Sequence, residues 1–235
     1  MIKPALYPVL AALAAAVAAP AGSAPARKAA PARVDWSRTV VATPEGGFRM
    51  GNPAAKVKLI EYGSLTCSHC ATFATEGMES LVGAYVRSGK VSYEYRNMVL
   101  NGLDVAATLV ARCGGPGRFF PVADALYATQ SQWKDRVKNL TDAQKQALNA
   151  LPENQRLGRL ADLAGLPEIA AKHGIAPALS QSCLADRAAF DRLGTMNEAA
   201  TAQGVPGTPT FFLNGANIGS HSWKTLEPVL REAAG

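Results

Sequence analysis

The chain has 235 residues, a formal net charge of +6 and 48% hydrophobic residues, and this length allows one large domain or one domain with a big insertion. The positive charge is thinly spread. Arg27, Lys28 and Arg33 lie near the N-terminus, but no basic stripe with interleaved aromatic residues follows them. Nucleic acid is therefore not expected as a partner.

The first 24 residues are typical of an export signal peptide. Lys3 precedes an apolar, alanine-rich run at residues 9–19, and small residues follow at positions 21–24. The run is shorter than the ~20 residues of an ordinary membrane span, although an uncleaved N-terminal anchor is an alternative. Residues 25–34 are rich in Ala, Pro and Arg and predict a disordered linker. We therefore expect an exported protein, in a compartment where disulfides persist.

The sequence Cys67-Ser68-His69-Cys70 places two thiols two residues apart, just after a strand-like run at residues 57–62. The residues that follow have the composition of a helix, and a Cys-x-x-Cys pair at such a junction suits reversible disulfide chemistry. The unpaired N–H groups and partial positive charge of a helix N-terminus stabilise a thiolate at Cys67. Because a thiolate attacks and leaves disulfides readily, we expect this pair to be redox-active.

His69 lies between the two cysteines and can be cationic near neutral pH. A positive imidazole would favour the Cys67 thiolate, stabilise the reduced state and make the disulfide a stronger oxidant. The alternative is half of a zinc site with Cys67 and Cys70 as ligands. A structural zinc site needs about four ligands, and the sequence has no second Cys-x-x-Cys or His-x-x-His. The motif therefore favours redox chemistry over zinc.

Glu61 lies on a strand face that is otherwise apolar, at the strand end nearest the cysteines. A buried carboxylate there would have a raised pKa and could relay protons during thiol exchange. The alternative is a strand-end glutamate that reaches water. Asp104 and Asp186 are interpreted as helix caps or solvated residues rather than as ligands.

The rest of the chain predicts two parts of an α/β domain that flank a helical stretch. Apolar residues at helical spacing follow the cysteines, and residues 91–96 alternate as a second strand. Residues 103–184 have helical patterns and no convincing strand, so they predict a helical insertion between residues 35–102 and 185–235. In the last part, Asn214-Gly215 predicts a hairpin turn, and an amphipathic helix ends the chain.

Three features together resemble the secreted DsbA-like thiol:disulfide oxidoreductases of the thioredoxin superfamily. They are Glu61 followed by the motif that begins at Cys67, the helical stretch between two α/β parts, and Gly207-Thr208-Pro209-Thr210 before a phenylalanine-rich hairpin. The resemblance covers residues 35–234. It implies an α/β thioredoxin fold, with a mixed central sheet flanked by helices, and an inserted all-helical subdomain.

The resemblance also implies roles for individual residues. Cys67 would be the exposed nucleophile and Cys70 the buried resolving thiol, with Glu61 as the buried carboxylate beneath the second cysteine. Pro209 would follow a cis peptide bond and pack across space from the cysteines. Thr208 would present its backbone N–H and C=O to an extended substrate, as an added strand does at a sheet edge.

Cys113 and Cys183 lie within the helical stretch. Some relatives carry a second, non-catalytic disulfide there, so the resemblance implies a structural bond between these two cysteines. The alternative is two buried, unpaired thiols.

The resemblance implies a periplasmic oxidoreductase that introduces disulfides into unfolded or reduced exported proteins through the Cys67–Cys70 pair. It needs no bound cofactor and is reoxidised by a DsbB-like membrane oxidase.

Ser68 stands where the best-known DsbA-like motif has proline, and Thr208 also resembles the isomerase branch, so an isomerase or reductase is the alternative. About 30 residues precede the first strand region after the expected cleavage, too few for an isomerase dimerisation domain, and a monomer is expected. A copper(I)- or zinc-binding protein is the alternative of another class, with His69 joining the two cysteines as ligands.

Overall fold

The computed structural model describes residues 34–235, with the side chains of residues 153 and 154 left out, and these residues form one compact unit. The predicted signal peptide at 1–24 lies outside the described residues, as does the predicted linker at 25–34 except for its last residue. Within the described range, no helix is both long enough and apolar enough to cross a membrane.

The core of the fold is one six-stranded mixed sheet with the order β1-β2-β4-β3-β5-β6. β3 and β4 are parallel, and every other pairing is antiparallel. The parallel pair is joined by the helix that follows the cysteines, since parallel neighbours need a crossover connection. The strands are β1 (Val40–Ala42), β2 (Phe48–Met50), β3 (Val57–Gly63), β4 (Val91–Asn97), β5 (Thr210–Leu213) and β6 (Ala216–Gly219).

Ten α-helices surround the sheet in the described part of the chain, and seven of them lie between β4 and α9. The helical pattern predicted for residues 103–184 is confirmed, because the described elements in that stretch are all helices. The helices are α1 (Ser68–Ser80), α2 (Gly102–Arg112), α3 (Pro116–Ala128), α4 (Gln130–Lys138), α5 (Asp142–Ala150), α6 (Glu153–Ala164), α7 (Leu166–Ala171), α8 (Pro177–Leu184), α9 (Arg187–Ala202) and α10 (Trp223–Ala234).

The helical stretch shares its hydrophobic core with the sheet. One continuous cluster of buried side chains includes Phe73 of α1, Tyr95 of β4, Phe119 of α3 and Leu166 of α7. Phe119 stacks on Phe48 of β2 with ring centroids 4.5 Å apart, which ties the helices directly to the sheet. The inserted helices therefore pack onto the sheet through one common core.

Two local features position the C-terminal end of β3, which leads into the cysteine motif. Gly63 ends the strand against the Tyr95 ring, where an added Cβ would lie 2.5 Å from a ring carbon, so a larger residue would displace the loop that follows. The hairpin between β5 and β6 turns at Asn214 and Gly215 with φ angles of 49° and 88°. This positive-φ pair is the one that Asn-Gly favours, and it confirms the predicted hairpin beside β3.

Candidate active site

The cysteine motif lies where the sequence predicted, at the junction of β3 and α1. Cys67 is the N-cap residue of α1 with an extended backbone (φ −75°, ψ 124°) and is half-buried. Cys70 lies within the first turn of that helix and is fully buried. Both thiols are free, so the structure shows the dithiol form with one accessible and one inaccessible sulfur.

The pKa of the Cys67 thiol is lowered to about 5. The largest cause is the hydrogen bond from the Cys70 thiol, which stabilises the thiolate and outweighs the opposing effect of burial. The Thr208 hydroxyl and the backbone N–H groups of Cys70 and His69 lower the pKa further. The predicted stabilisation of a Cys67 thiolate by the start of a helix is thus present in the geometry.

Thr208 and Pro209 lie across from Cys67 and are joined by a cis peptide bond. The Cys67 thiol donates to the Thr208 carbonyl oxygen at 3.2 Å. The Thr208 hydroxyl is buried and has no hydrogen-bond partner among the described residues, so it is available to a thiolate. The carbonyl favours the protonated sulfur and the hydroxyl favours the thiolate, so this one residue contacts both forms of Cys67.

Glu61 is buried, and the Tyr93 hydroxyl donates to its carboxyl oxygen at 2.6 Å. Burial raises the pKa of Glu61 to about 8, although the hydrogen bond from Tyr93 opposes the shift. Burial also raises the pKa of the Cys70 thiol well above its ordinary value, and the Cys67 hydrogen bond and the Glu61 charge add to the shift. The alternative of a solvated Glu61 is therefore wrong.

His69 lies beside the sulfurs, but its side chain is exposed. Within residues 34–235 its ring makes no hydrogen bond, and its contribution to the pKa of Cys67 comes from its backbone N–H. The expected effect of the imidazole charge stays a prediction. No group of three or more His, Cys, Asp or Glu side chains in the described range is arranged to hold a metal ion, so the metal-binding alternative has no preformed ligand set there.

Asp104 is a site residue that the sequence interpretation missed. It is fully buried near the start of α2, where its carboxylate accepts from the Ser64 hydroxyl at 2.6 Å and from the N–H groups of Leu65 and Leu100 at 3.0 and 2.9 Å. The interpretation of Asp104 as a cap or solvated residue is wrong, because the residue is fully buried and two of its partners, Ser64 and Leu65, lie 40 and 39 residues earlier in the chain. Sequence spacing does not reveal these contacts. Asp186, in contrast, caps α9 as expected.

Gln130 and Lys134 of α4 were also missed. The Gln130 amide donates to the carbonyl oxygens of Leu65 at 2.8 Å and Cys67 at 2.9 Å. The Lys134 ammonium donates to the Thr66 carbonyl oxygen at 2.7 Å. A glutamine and a lysine in a polar helix carry no sequence pattern that would have identified these contacts.

Cys113 and Cys183 lie at the C-terminal ends of α2 and α8, apart from the redox pair. They form a disulfide bond with Cα atoms 5.7 Å apart, and the bond closes a sequence separation of 70 residues. The structure thus has the pairing that the resemblance implies, and the alternative of two unpaired thiols does not describe it.

A family model described as Thioredoxin matches residues 43–232. Among curated proteins, one from Rickettsia bellii (strain RML369-C), provisionally named a protein-disulfide oxidoreductase, is 25% identical over 191 residues, which cover 80% of this chain and 65% of that protein. A second, of the same provisional name from Rickettsia conorii (strain ATCC VR-613 / Malish 7), is 26% identical over 188 residues, or 78% and 59% of the two chains. The chain therefore spans less than two thirds of the length of these relatives.

Solved structures share the fold. A protein-disulfide isomerase from Novosphingobium aromaticivorans is 31% identical with a TM-score of 0.74, and the match covers 80% of this chain and 97% of that one. Alpha-DsbA1 from Wolbachia pipientis is 23% identical with a TM-score of 0.60, covering 80% and 90%. The thioredoxin fold expected from the sequence is confirmed, and the chain belongs to the thioredoxin family.

Proposed function

We propose that this protein is a thiol:disulfide oxidoreductase that introduces disulfides into exported proteins through the Cys67–Cys70 pair. The observation that carries the proposal is the asymmetry of the two sulfurs. Cys67 is accessible with its pKa lowered to about 5, whereas Cys70 is buried with its pKa raised well above its ordinary value. Such a pair has one sulfur that leaves readily as a thiolate and one that is held ready to displace it.

The first step begins from the Cys67–Cys70 disulfide. A substrate thiolate attacks the Cys67 sulfur, a mixed disulfide forms, and the Cys70 sulfur leaves with the electron pair of the broken bond. Because the pKa of Cys70 is high, this sulfur takes up a proton. Glu61 is close enough for its charge to affect Cys70, and its pKa of about 8 keeps it mostly protonated near neutral pH, so it is suited to supply that proton.

In the second step, another substrate thiolate attacks the sulfur of the substrate that is bonded to Cys67. A substrate disulfide forms, and Cys67 leaves as a thiolate. The low pKa of Cys67 makes it a good leaving group. The protein is now a dithiol, and two electrons have passed from the substrate to the Cys67–Cys70 pair.

A disulfide isomerase of the same fold is the second candidate. The support for it is the structural neighbour at 31% identity, which is named a protein-disulfide isomerase. The two activities use the same mixed disulfide and differ in which redox form is active. An isomerase starts from the dithiol and returns to it, whereas an oxidase starts from the disulfide and ends each reaction as the dithiol.

The cellular setting is part of the proposal. The apolar N-terminal run supports export to the periplasm, where unfolded or reduced exported proteins would be the substrates. A DsbB-like membrane oxidase would accept the electrons and regenerate the disulfide. We propose a monomer as the working form.

The test compares oxidation and isomerisation by the same preparation. The disulfide form is mixed with a reduced two-cysteine peptide, and the dithiol form with a protein that carries scrambled disulfides. We expect stoichiometric peptide oxidation that Cys67→Ser abolishes. Cys70→Ser, added as the thiol to the protein with scrambled disulfides, should accumulate a mixed disulfide at Cys67, because its thiolate attacks a substrate disulfide and the Cys70 thiol that would displace the substrate is absent. Peptide oxidation that persists in Cys67→Ser would overturn the proposal, and efficient unscrambling without peptide oxidation would favour the isomerase.

A further inference from the structure

The segment Ser64–Cys67, here called the active-site loop, connects β3 to α1 and carries the reactive sulfur. Its backbone is held by α4, an element of the helical stretch. Gln130 is buried, and both hydrogens of its amide are used, one on the Leu65 carbonyl oxygen and one on the Cys67 carbonyl oxygen. Lys134, one helical turn further along α4, holds the Thr66 carbonyl oxygen between them.

The opposite side of the active-site loop is held by α2 and α3. The Asp104 carboxylate accepts from the Leu65 N–H at 3.0 Å and from the Ser64 hydroxyl at 2.6 Å. The Tyr127 hydroxyl donates to the Ser64 carbonyl oxygen at 3.1 Å. Three helices of the inserted stretch therefore fix a loop of four residues, and each of its carbonyl groups has a side-chain partner.

The two carbonyl oxygens that accept from Gln130 differ in whether they have another hydrogen-bond donor. The Cys67 carbonyl oxygen also accepts the first backbone bond of α1, from Ala71 at 3.1 Å. Leu65 is fully buried, so its carbonyl oxygen would lose its side-chain partner without water to take its place if the Gln130 amide were removed. A buried carbonyl without a partner is costly, so the loop would move to satisfy it.

We infer that Gln130 is a positioning residue for the redox couple, and that through it α4 holds Cys67 where the N–H groups of His69 and Cys70 can stabilise its thiolate. Lys134 supports the same position. This inference rests on the proposed function, because it assumes that Cys67 and Cys70 exchange between dithiol and disulfide.

The hydrogen bonds that Gln130 and Lys134 donate to the active-site loop, here called the clamp, stabilise one redox form more than the other. In the disulfide form the Cys67–Cys70 bond itself fixes the Cys67 sulfur against α1. In the dithiol form that covalent link is absent, so the position of Cys67 depends more on the hydrogen bonds to its backbone, among them the one from Gln130. Losing the clamp therefore raises the free energy of the dithiol more than that of the disulfide, and the couple becomes more reducing.

The experiment measures this difference with Gln130→Met, which keeps the length of the side chain and removes both donors. The matched control is Gln132→Met, the same substitution at an exposed position of the same helix. Each variant is equilibrated with reduced and oxidised glutathione. In this reaction one protein disulfide and two glutathione thiols give one protein dithiol and one glutathione disulfide. The thiolate absorbance of Cys67 is followed against pH in parallel.

We expect Gln130→Met to lower the equilibrium constant for reduction by glutathione about threefold to tenfold, the range of one net hydrogen bond, and to raise the pKa of Cys67. Gln132→Met should match the wild type. A purely structural role would lower the unfolding midpoints of both redox forms equally and leave the equilibrium constant and the pKa unchanged, and that result would overturn the inference.

If Gln130→Met does not fold, Lys134→Met decides the question, with Lys138→Met at an exposed position of the same helix as its control. We expect a smaller shift in the same direction, because Lys134 is only half-buried. An equilibrium constant equal to that of Lys138→Met would then overturn the inference. Failure of the wild type to equilibrate with glutathione at all would overturn the proposed function itself, so the two failures are distinguishable.

Discussion

At the scale of single residues, the two sulfurs lie within one helical turn and have opposite environments. Cys67 is at the open N-terminus of α1, where backbone N–H groups have no helical partner and stabilise negative charge. Cys70 is in the core beside the buried Glu61, where a second negative charge is disfavoured. Because each sulfur's environment follows from its position in the helix, a Cys-x-x-Cys motif at a strand-to-helix junction predicts that the first cysteine carries the thiolate.

His69→Ala tests the charge of the imidazole apart from the backbone. We expect a more reducing couple, since the substitution removes a cation that stabilises the thiolate but not the disulfide. The effect should be small, about 0.2–1 kcal/mol, because the side chain is exposed. Equilibration with glutathione at low and high ionic strength measures it, with His173→Ala as the control. An unchanged potential at low salt would show that the imidazole charge plays no part.

Glu61→Gln tests the buried carboxyl through the pH dependence of stability. The folded pKa of Glu61 is raised from 4.5 to about 8, so the folded state binds more protons than the unfolded state between these values. Stability of the wild type should therefore fall as pH rises through this window and level off above about pH 8. The variant should lack this fall, which amounts to a few kcal/mol, since each pKa unit is about 1.4 kcal/mol.

The measurement for Glu61→Gln is urea unfolding of the disulfide form across the same pH range. The disulfide form is needed because the lowered pKa of Cys67 acts with the opposite sign. A thiol with a folded pKa of about 5 adds stability as pH rises above 5, and this would mask the effect of Glu61. Parallel pH profiles for wild type and variant would contradict the raised pKa.

At the scale of elements, the sequence predicted those with strong periodicity. β3 and β4 have seven residues each; β3 has the composition of a strand, and β4 alternates apolar with polar residues in its sequence. Asn214-Gly215 identifies its turn by backbone chemistry. β1 and β2 were missed, because three residues each are too few to show a period. The roles of Asp104 and Gln130 could not be predicted, since each depends on a loop that only the folded chain brings near.

The disulfide between α2 and α8 should stabilise the fold and take no part in exchange. We expect a Cys113→Ala/Cys183→Ala variant to lose about 4 kcal/mol of unfolding free energy, the chain-entropy value for a loop of 70 residues. Its rate of peptide oxidation should stay at the wild-type level, because Cys113 and Cys183 bond to each other and leave Cys67 and Cys70 as a separate pair. Chemical unfolding and the peptide assay check the two parts separately. A large loss of oxidation with intact folding would show that this disulfide also exchanges electrons.

At the scale of the whole molecule, the helices and the sheet are bound by common packing. Trp133 of α4 is fully buried, and its indole N–H donates to the Leu126 carbonyl oxygen at 2.8 Å. Trp223 of α10 packs on Phe73 of α1 with ring centroids 6.3 Å apart. These two tryptophans therefore report on the helical stretch and on the sheet side of one continuous core.

This shared core predicts that the helical stretch does not unfold on its own. A variant that keeps only Trp133 (Trp36→Phe/Trp223→Phe) and one that keeps only Trp223 (Trp36→Phe/Trp133→Phe) should each unfold in urea with a fluorescence midpoint that coincides with the midpoint from far-UV circular dichroism. Coincident transitions are the mark of two-state unfolding. They are expected here because buried side chains of α4, α1 and β4 belong to one continuous core. The absolute midpoints of the two variants will differ, since Trp133→Phe leaves a small cavity, but within each variant the two probes should agree.

A Trp133 transition at lower urea than the circular dichroism transition would instead show that the helices form an independent folding unit. In that case the active-site loop would lose its clamp before the sheet unfolds.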